Sequence, residues 1–210
     1  MSILSDIAEL VQKGKAQEVS DLVSQALAEG IPPQQILDEG LLKGMGELGV
    51  RFKNNEVFVP EVLIAARALN KGTETLKATL VAGDIKAIGK VVIATVSGDL
   101  HDIGKNLVKL MLEGAGFEVV DLGTDVSGEK IVAAINENNP DVVALSALLT
   151  TTMSAQSEVI KAIVDAGLRD KVKIIVGGAP ITDAFAKEIG ADGYSEDASG
   201  AADIAKQLIR

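Results

Sequence analysis

The chain contains one histidine, His101, in the segment Ser97-Gly98-Asp99-Leu100-His101-Asp102-Ile103-Gly104-Lys105-Asn106. A neutral imidazole can act as a base, a proton shuttle or a metal ligand. Asp99 stands two residues earlier, where it can accept the other ring N–H and fix the tautomer. Taken alone, a single histidine is most often structural or solvated. Other chemistries fit this segment poorly. A Walker phosphate loop needs four residues between its glycines and Ser or Thr after the lysine. Gly98 and Gly104 are separated by five, and Asn106 follows Lys105. The dinucleotide pattern G-x-G-x-x-G is missing. Ser97 or Ser146 could serve as a nucleophile beside an Asp-His pair, but neither stands in a G-x-S-x-G elbow.

Two further segments attract attention. Leu145-Ser146-Ala147-Leu148-Leu149-Thr150-Thr151-Thr152-Met153 carries a cluster of hydroxyls. Thr151 or Thr152 is expected to cap the helix that follows, which leaves Ser146, at the end of a strand, unexplained. Gly177-Gly178 removes side chains where something approaches the backbone closely, or else forms an ordinary strand-to-helix turn.

The surrounding periodicities place these segments. After about residue 83, short β-branched runs recur at Val91–Val96, Phe117–Leu122, Val142–Leu145, Val172–Val176 and, more weakly, Ala191–Tyr194. Helical stretches Lys105–Gly114, Gly128–Asn138, Met153–Ala166, Thr182–Ile189 and Ala198–Leu208 alternate with them. Such alternation implies parallel βαβ units. Near-continuous apolar strands suit a sheet covered on both faces. The simplest arrangement is a flavodoxin-like five-stranded sheet of order 2-1-3-4-5, whose ligands bind beyond the carboxyl ends of strands one and three. All three segments lie at that end.

The residues before 83 are helical throughout. Ile7, Leu10 and Val11 share one face, then Val19, Leu22, Val23, Ala26 and Leu27. Gly30 and Pro32-Pro33 separate the second helix from a third carrying Ile36, Leu37, Leu41, Met45 and Leu48. Pro60 opens a fourth. Short connections favour antiparallel neighbours, so residues 1–83 are expected to form a helical bundle and residues 84–210 the α/β domain. A hinge is expected near Val81–Ile88, eased by Gly83 and Gly89.

Composition removes several function classes. With 30 acidic against 20 basic residues the net charge is −10, and no basic run could track a nucleic-acid backbone. The absence of cysteine excludes thiolate metal sites and disulfides. No apolar stretch is long enough to span a bilayer. The start, Met1-Ser2-Ile3-Leu4-Ser5-Asp6, lacks the features of a signal peptide, so a cytoplasmic location is expected.

Taken together, these segments resemble the cobalamin-binding domain with the signature D-x-H-x-x-G, S-x-L, G-G. Asp99, His101 and Gly104 match the first element, Ser146 and Leu148 the second, and Gly177 and Gly178 the third. The segment Arg51–Glu61 is similar to the cap of methyl-carrying corrinoid proteins, with Phe52 and Val59 where that family has a Phe and a Leu over the corrin; valine is a departure. The alternative for Phe52 and Phe58 is a place in the bundle core. The similarity covers nearly the whole chain, and extends to the corresponding module of cobalamin-dependent methionine synthase.

The resemblance implies a corrinoid held with its own base displaced and His101 as the lower cobalt ligand. It implies that Asp99 holds the other ring nitrogen and that Ser146 extends that hydrogen-bond chain. Gly104, Gly177 and Gly178 would make room for the nucleotide tail, with Leu148, Thr150 and Tyr194 as further cofactor contacts, Tyr194 within the stretch Tyr194-Ser195-Glu196-Asp197-Ala198 that matches the family's tail contacts more loosely. The implied role is a carrier of methyl groups, not catalytic alone. Its implied partners are a substrate:corrinoid methyltransferase, a methyltransferase acting on tetrahydrofolate or a thiol such as coenzyme M, and a reductive activase. Competing readings are an adenosylcobalamin mutase small subunit, a cobalamin-dependent sensor, and a signalling domain without a cofactor. The mutase would not need the bundle, and the sensor would need a DNA-binding module.

Overall fold

The computed structural model describes residues 2–78 and 86–210. It divides into two compact units, Met1–Ala87 with Gly114–Gly116, and Ile88–Glu113 with Phe117–Arg210. Most of the hinge expected near Val81–Ile88, Gly83 included, lies outside the described residues.

In the first unit, α1 (Ile3–Gln12) starts at Ser2, whose side chain accepts the Ser5 N–H, and it buries Ile7, Ala8 and Val11. Helix α2 (Ala16–Ala28) buries Val19, Val23 and Ala26. The third helical run differs from the regular helix expected. It begins as α3 (Pro33–Gln35), widens into a π-helical stretch over Ile36–Leu42, and continues as α4 (Lys43–Lys53). The buried positions explain the widening. Ile36, Gly40, Gly44 and Leu48 recur every four residues, as do Leu37, Leu41, Met45 and Gly49. A helix of 3.6 residues per turn drifts away from such a repeat, and a wider turn restores it. Gly44 also lets this run approach α1, since a Cβ there would stand 2.5 Å from the Ala8 carbonyl oxygen.

Helix α5 (Val59–Ala78) buries Val62, Ala65, Ala66, Leu69 and Leu76. Its Gly72 lies against Val19 and Leu41. Phe58 does not plug this core: it is 64% exposed. Phe52 and Val59 are half-buried.

The second unit is a parallel five-stranded sheet of order β2-β1-β3-β4-β5, as the sequence implies. Its strands are β1 (Lys90–Thr95), β2 (Glu118–Asp121), β3 (Val142–Ser146), β4 (Lys173–Gly177) and β5 (Gly193–Ser195). The helices are α6 (Ile103–Gly114), α7 (Gly128–Asn138), α8 (Met153–Asp165), α9 (Asp183–Glu188) and α10 (Ala198–Leu208).

Strand side chains alternate between faces. Ala94, Val143, Leu145, Ile174 and Val176 pack with Ile131, Val159, Ile163 and Ala186 of α7, α8 and α9 in one apolar core. The intervening residues point to the opposite face, where Gly193 and Ile175 meet Ile204 of α10. Gly89, expected to ease the hinge, is confined instead. A Cβ there would come within 3.0 Å of Asp141 Oδ2 and Ile209 Cδ1.

Candidate functional site

Strand β1 ends at Thr95, and the chain turns through Gly98, whose φ of +79° suits a residue without a side chain. The turn carries Asp99 into the protein and leaves His101 at the surface. Asp99 is fully buried, whereas the His101 side chain is 50% exposed. Their contact is direct, with Asp99 Oδ1 2.7 Å from His101 Nδ1. The same oxygen accepts the His101 backbone N–H at 3.0 Å. The Thr95 hydroxyl donates to the His101 carbonyl at 2.9 Å. Both the ring and the backbone of His101 are therefore fixed.

The other Asp99 oxygen reaches into the loop after β3. Oδ2 accepts the Leu148 N–H and the Thr152 hydroxyl, each at 2.7 Å. Burial alone would raise the pKa of this carboxyl, but these four donors reverse the effect. They hold it well below the usual carboxylate range, so Asp99 is charged at neutral pH. A charged acceptor at Nδ1 selects the Nδ1–H tautomer, and the Nε2 lone pair is left available.

Two expectations change here. The hydrogen-bond chain from Asp99 runs to Thr152, not to Ser146. Thr152 sits at the start of α8 without a side-chain capping bond, because its hydroxyl faces Asp99 Oδ2 and the Leu149 carbonyl. Ser146 belongs to a different feature. Strand register aligns Thr95, Ser146, Gly177 and Ser195 in one row across four strands. Alternation puts that row on the face opposite the α7–α9 core, at the carboxyl end of the sheet. All four residues are small and form a narrow strip, in which Thr95 and Ser195 are buried and Ser146 and Gly177 half-buried.

Tyr194 is not part of this strip. It packs with the apolar core on the other face, and its neighbour Ser195 takes the position on the strip. A one-residue step along a strand reverses the side. The two adjacent glycines also separate in role. Gly178 has φ +126°, and a Cβ there would lie 1.8 Å from the Ala147 carbonyl oxygen. What approaches Gly178 is therefore the protein's own backbone. Gly104 is the reverse case: a Cβ there meets nothing within 4 Å. No protein contact requires glycine at this position.

Lys105 does not cradle phosphate. It is buried and ion-paired with Asp121 at 2.7 Å, and it also donates to Asn106 Oδ1 at 2.7 Å. Burial works against the Asp121 charge, but Lys105, the Gly123 N–H and Lys109 together outweigh it and lower the carboxyl pKa.

Around His101 the surface is apolar. Leu100 and Ile103 are each 75% exposed, and Leu148 and Leu149 are also open. Thr150 is exposed in the same loop. Among the described residues no three His, Asp or Glu side chains gather as a metal site. His101 is a single donor, suited to a metal whose remaining ligands arrive with it. The pinned imidazole, apolar rim, small-residue strip and open Gly104 all fit a flat metal macrocycle with an appended tail. Phe52 and Val59 belong to the helical unit.

Sequence reasoning missed Thr95 and gave Thr152 only a capping role. For Thr95 a signal existed, because strand alternation places it level with Ser146.

Comparison with known proteins is consistent along the chain. Residues 89–203 match the B12 binding domain family, and residues 3–77 match a second family also described as a B12 binding domain. Dimethylamine corrinoid protein 3 of Methanosarcina acetivorans is 44% identical over 99% of this chain and 97% of its own length. A corrinoid protein of Desulfitobacterium hafniense is 38% identical over 100% of this chain and 98% of its own. Among solved structures, the methanol:cobalamin methyltransferase complex of Methanosarcina barkeri superposes with a TM-score of 0.90 at 33% identity, covering 99% of this chain and 79% of that one. A cobalamin-binding protein from Desulfitobacterium hafniense gives 0.80 at 33% identity, over 98% of both chains. Among the described residues no helix is long and apolar enough to cross a membrane. The chain belongs to the B12-binding family of corrinoid proteins.

Proposed function

We propose that this chain holds a corrinoid with His101 as the lower cobalt ligand and carries methyl groups between two methyltransferases. The observation that carries the reading is the Asp99–His101 pair, with one ring nitrogen bound to a buried carboxylate and the ring half-exposed within an apolar rim. Bound there, the corrinoid supplies a cobalt centre that takes up and hands on a methyl group.

The chain's own residues do the rest. His101 presents Nε2 as donor. Asp99 keeps the proton on Nδ1. Leu148 N–H and the Thr152 hydroxyl keep Asp99 charged, so the ring retains its orientation. Leu100, Ile103, Leu148 and Thr150 offer contacts for the lower face of the macrocycle. Gly104 and the half-buried Ser146 and Gly177 accommodate the displaced nucleotide tail.

One partner methyltransferase would take methyl from a methylamine or methanol, the substrates in the names of the relatives. The other would pass it to tetrahydrofolate or a thiol such as coenzyme M, and a reductive activase would restore the working oxidation state of cobalt. The match of the helical residues 3–77 to a second B12 binding domain family, and the similarity of the whole chain to a dimethylamine corrinoid protein, favour this carrier over a mutase subunit. Incubation with hydroxocobalamin followed by removal of the excess tests the reading. The expected protein is coloured, with a spectrum that changes in His101→Ala; a colourless protein overturns it.

A further inference from the structure

Asp125 lies in the loop between β2 and α7, outside every motif considered above. Its carboxylate oxygen Oδ1 accepts the Gly98 N–H at 2.8 Å and the Ser97 hydroxyl at 3.3 Å. Its backbone N–H donates to the Asp99 carbonyl at 3.0 Å. One residue thus grips three consecutive residues, the last of which is the partner of the His101 ring. Asp125 itself adopts φ +52°, a conformation that side-chain-bearing residues rarely take. Such a conformation persists where surrounding bonds determine it. The neighbouring Val126 N–H donates to the Thr95 carbonyl at 3.1 Å, anchoring the grip to the end of β1. Gly98, at φ +79°, turns its N–H toward the carboxylate.

We propose that Asp125 is a positioning residue for His101: by holding Ser97, Gly98 and Asp99 it aims the imidazole. Its hydrogen bonds are to Ser97, Gly98 and Asp99, not to the ring. Its effect on cobalt ligation rests on the corrinoid reading, but its effect on the ring does not. The contacts need an acceptor oxygen, not a charge, because Asp125 is exposed and faces an amide and a hydroxyl. Asparagine should therefore replace it, and alanine should not.

The test uses the full chain with and without cofactor. His101 is the one histidine, so ¹⁵N-histidine labelling reports a single ring by NMR. In the cofactor-free protein, Asp125→Ala should raise Gly98 amide exchange about tenfold and mix the ring tautomers. Asp125→Asn should keep both wild-type values. Unchanged exchange and tautomer in Asp125→Ala overturn the proposal. Should the alanine variant not fold, Asp125→Glu displaces the acceptor by one methylene and is expected to behave as alanine does; Glu and Asn both matching wild type overturns the proposal. With hydroxocobalamin reduced to the cobalt(II) state, the imidazole-bound fraction should fall in Asp125→Ala and return in Asp125→Asn; equal fractions in all three overturn the ligation effect. A wild-type protein that shows no imidazole ligation overturns the corrinoid reading, while the cofactor-free measurement still decides the role of Asp125.

Discussion

Thr152 Oγ lies 2.7 Å from Asp99 Oδ2, across 53 residues of chain, and joins the loop after β3 to the loop that carries His101. The hydroxyl and the Leu148 N–H meet the oxygen that His101 does not use. The two loops at the switch point of the sheet are thus tied through one buried carboxylate.

Thr152→Val removes one of four donors from this charge. A hydrogen bond to a charged group contributes about 2 kcal/mol, so a loss of that size is expected in chemical denaturation of the cofactor-free protein. Thr152→Ser should restore most of it. Ser146→Ala, which leaves Asp99 untouched, should cost less than about 1 kcal/mol. Equal losses from Ser146→Ala and Thr152→Val would contradict the assignment of Thr152 as the Asp99 partner.

The Lys105–Asp121 pair sets a pH dependence. The Asp121 carboxyl titrates below its ordinary value in the folded state because Lys105, the Gly123 N–H and Lys109 together outweigh burial. Its stabilisation is therefore complete above the unfolded carboxylate value of about 4 and is lost as pH falls through the lower folded value. At pH 7, Asp121→Asn leaves a buried ammonium without its counter-charge and should cost about 3 kcal/mol. The gap between variant and wild type should narrow once pH drops below about 4. A gap independent of pH would contradict the ion-pair account.

Gly178 and Gly104 should respond oppositely to alanine. Gly178→Ala forces a Cβ into the Ala147 carbonyl at a positive φ, and should destabilise the cofactor-free protein by about 3 kcal/mol or more. Gly104→Ala meets no protein atom and improves helix propensity, so stability should hold or rise by up to about 1 kcal/mol. Its affinity for hydroxocobalamin should fall, because the space it fills is kept for the cofactor. Wild-type affinity in Gly104→Ala would contradict that use of the space.

Much of this was legible in the chain. The β-branched runs and the helices between them implied the sheet order, and the position of His101 after the first strand pointed to the candidate site at the carboxyl ends of the strands. Alternation within strands was also readable; applied to β5, it sets Ser195 level with Gly177 and turns Tyr194 to the other face. The four-residue spacing from Ile36 to Leu48 was visible too, and it asks for a wider helical turn. Thr152 and Asp125 were not readable. Each reaches the His101 loop from a distant loop, and local sequence patterns carry no record of which side chain a loop brings to a buried carboxylate or an amide. Gly178 was legible as glycine but not in cause, because the group that approaches it, the Ala147 carbonyl, belongs to another strand's loop.

The central claim is that the imidazole of His101 binds cobalt from below. Electron paramagnetic resonance of the cobalt(II) corrinoid complex tests it, using protein grown with ¹⁵N-histidine and an unlabelled cofactor. Coupling to a single ¹⁵N axial nitrogen splits each cobalt line into two and is the expected result. Three-line ¹⁴N splitting, from the cofactor's own base, or no nitrogen splitting would contradict the account.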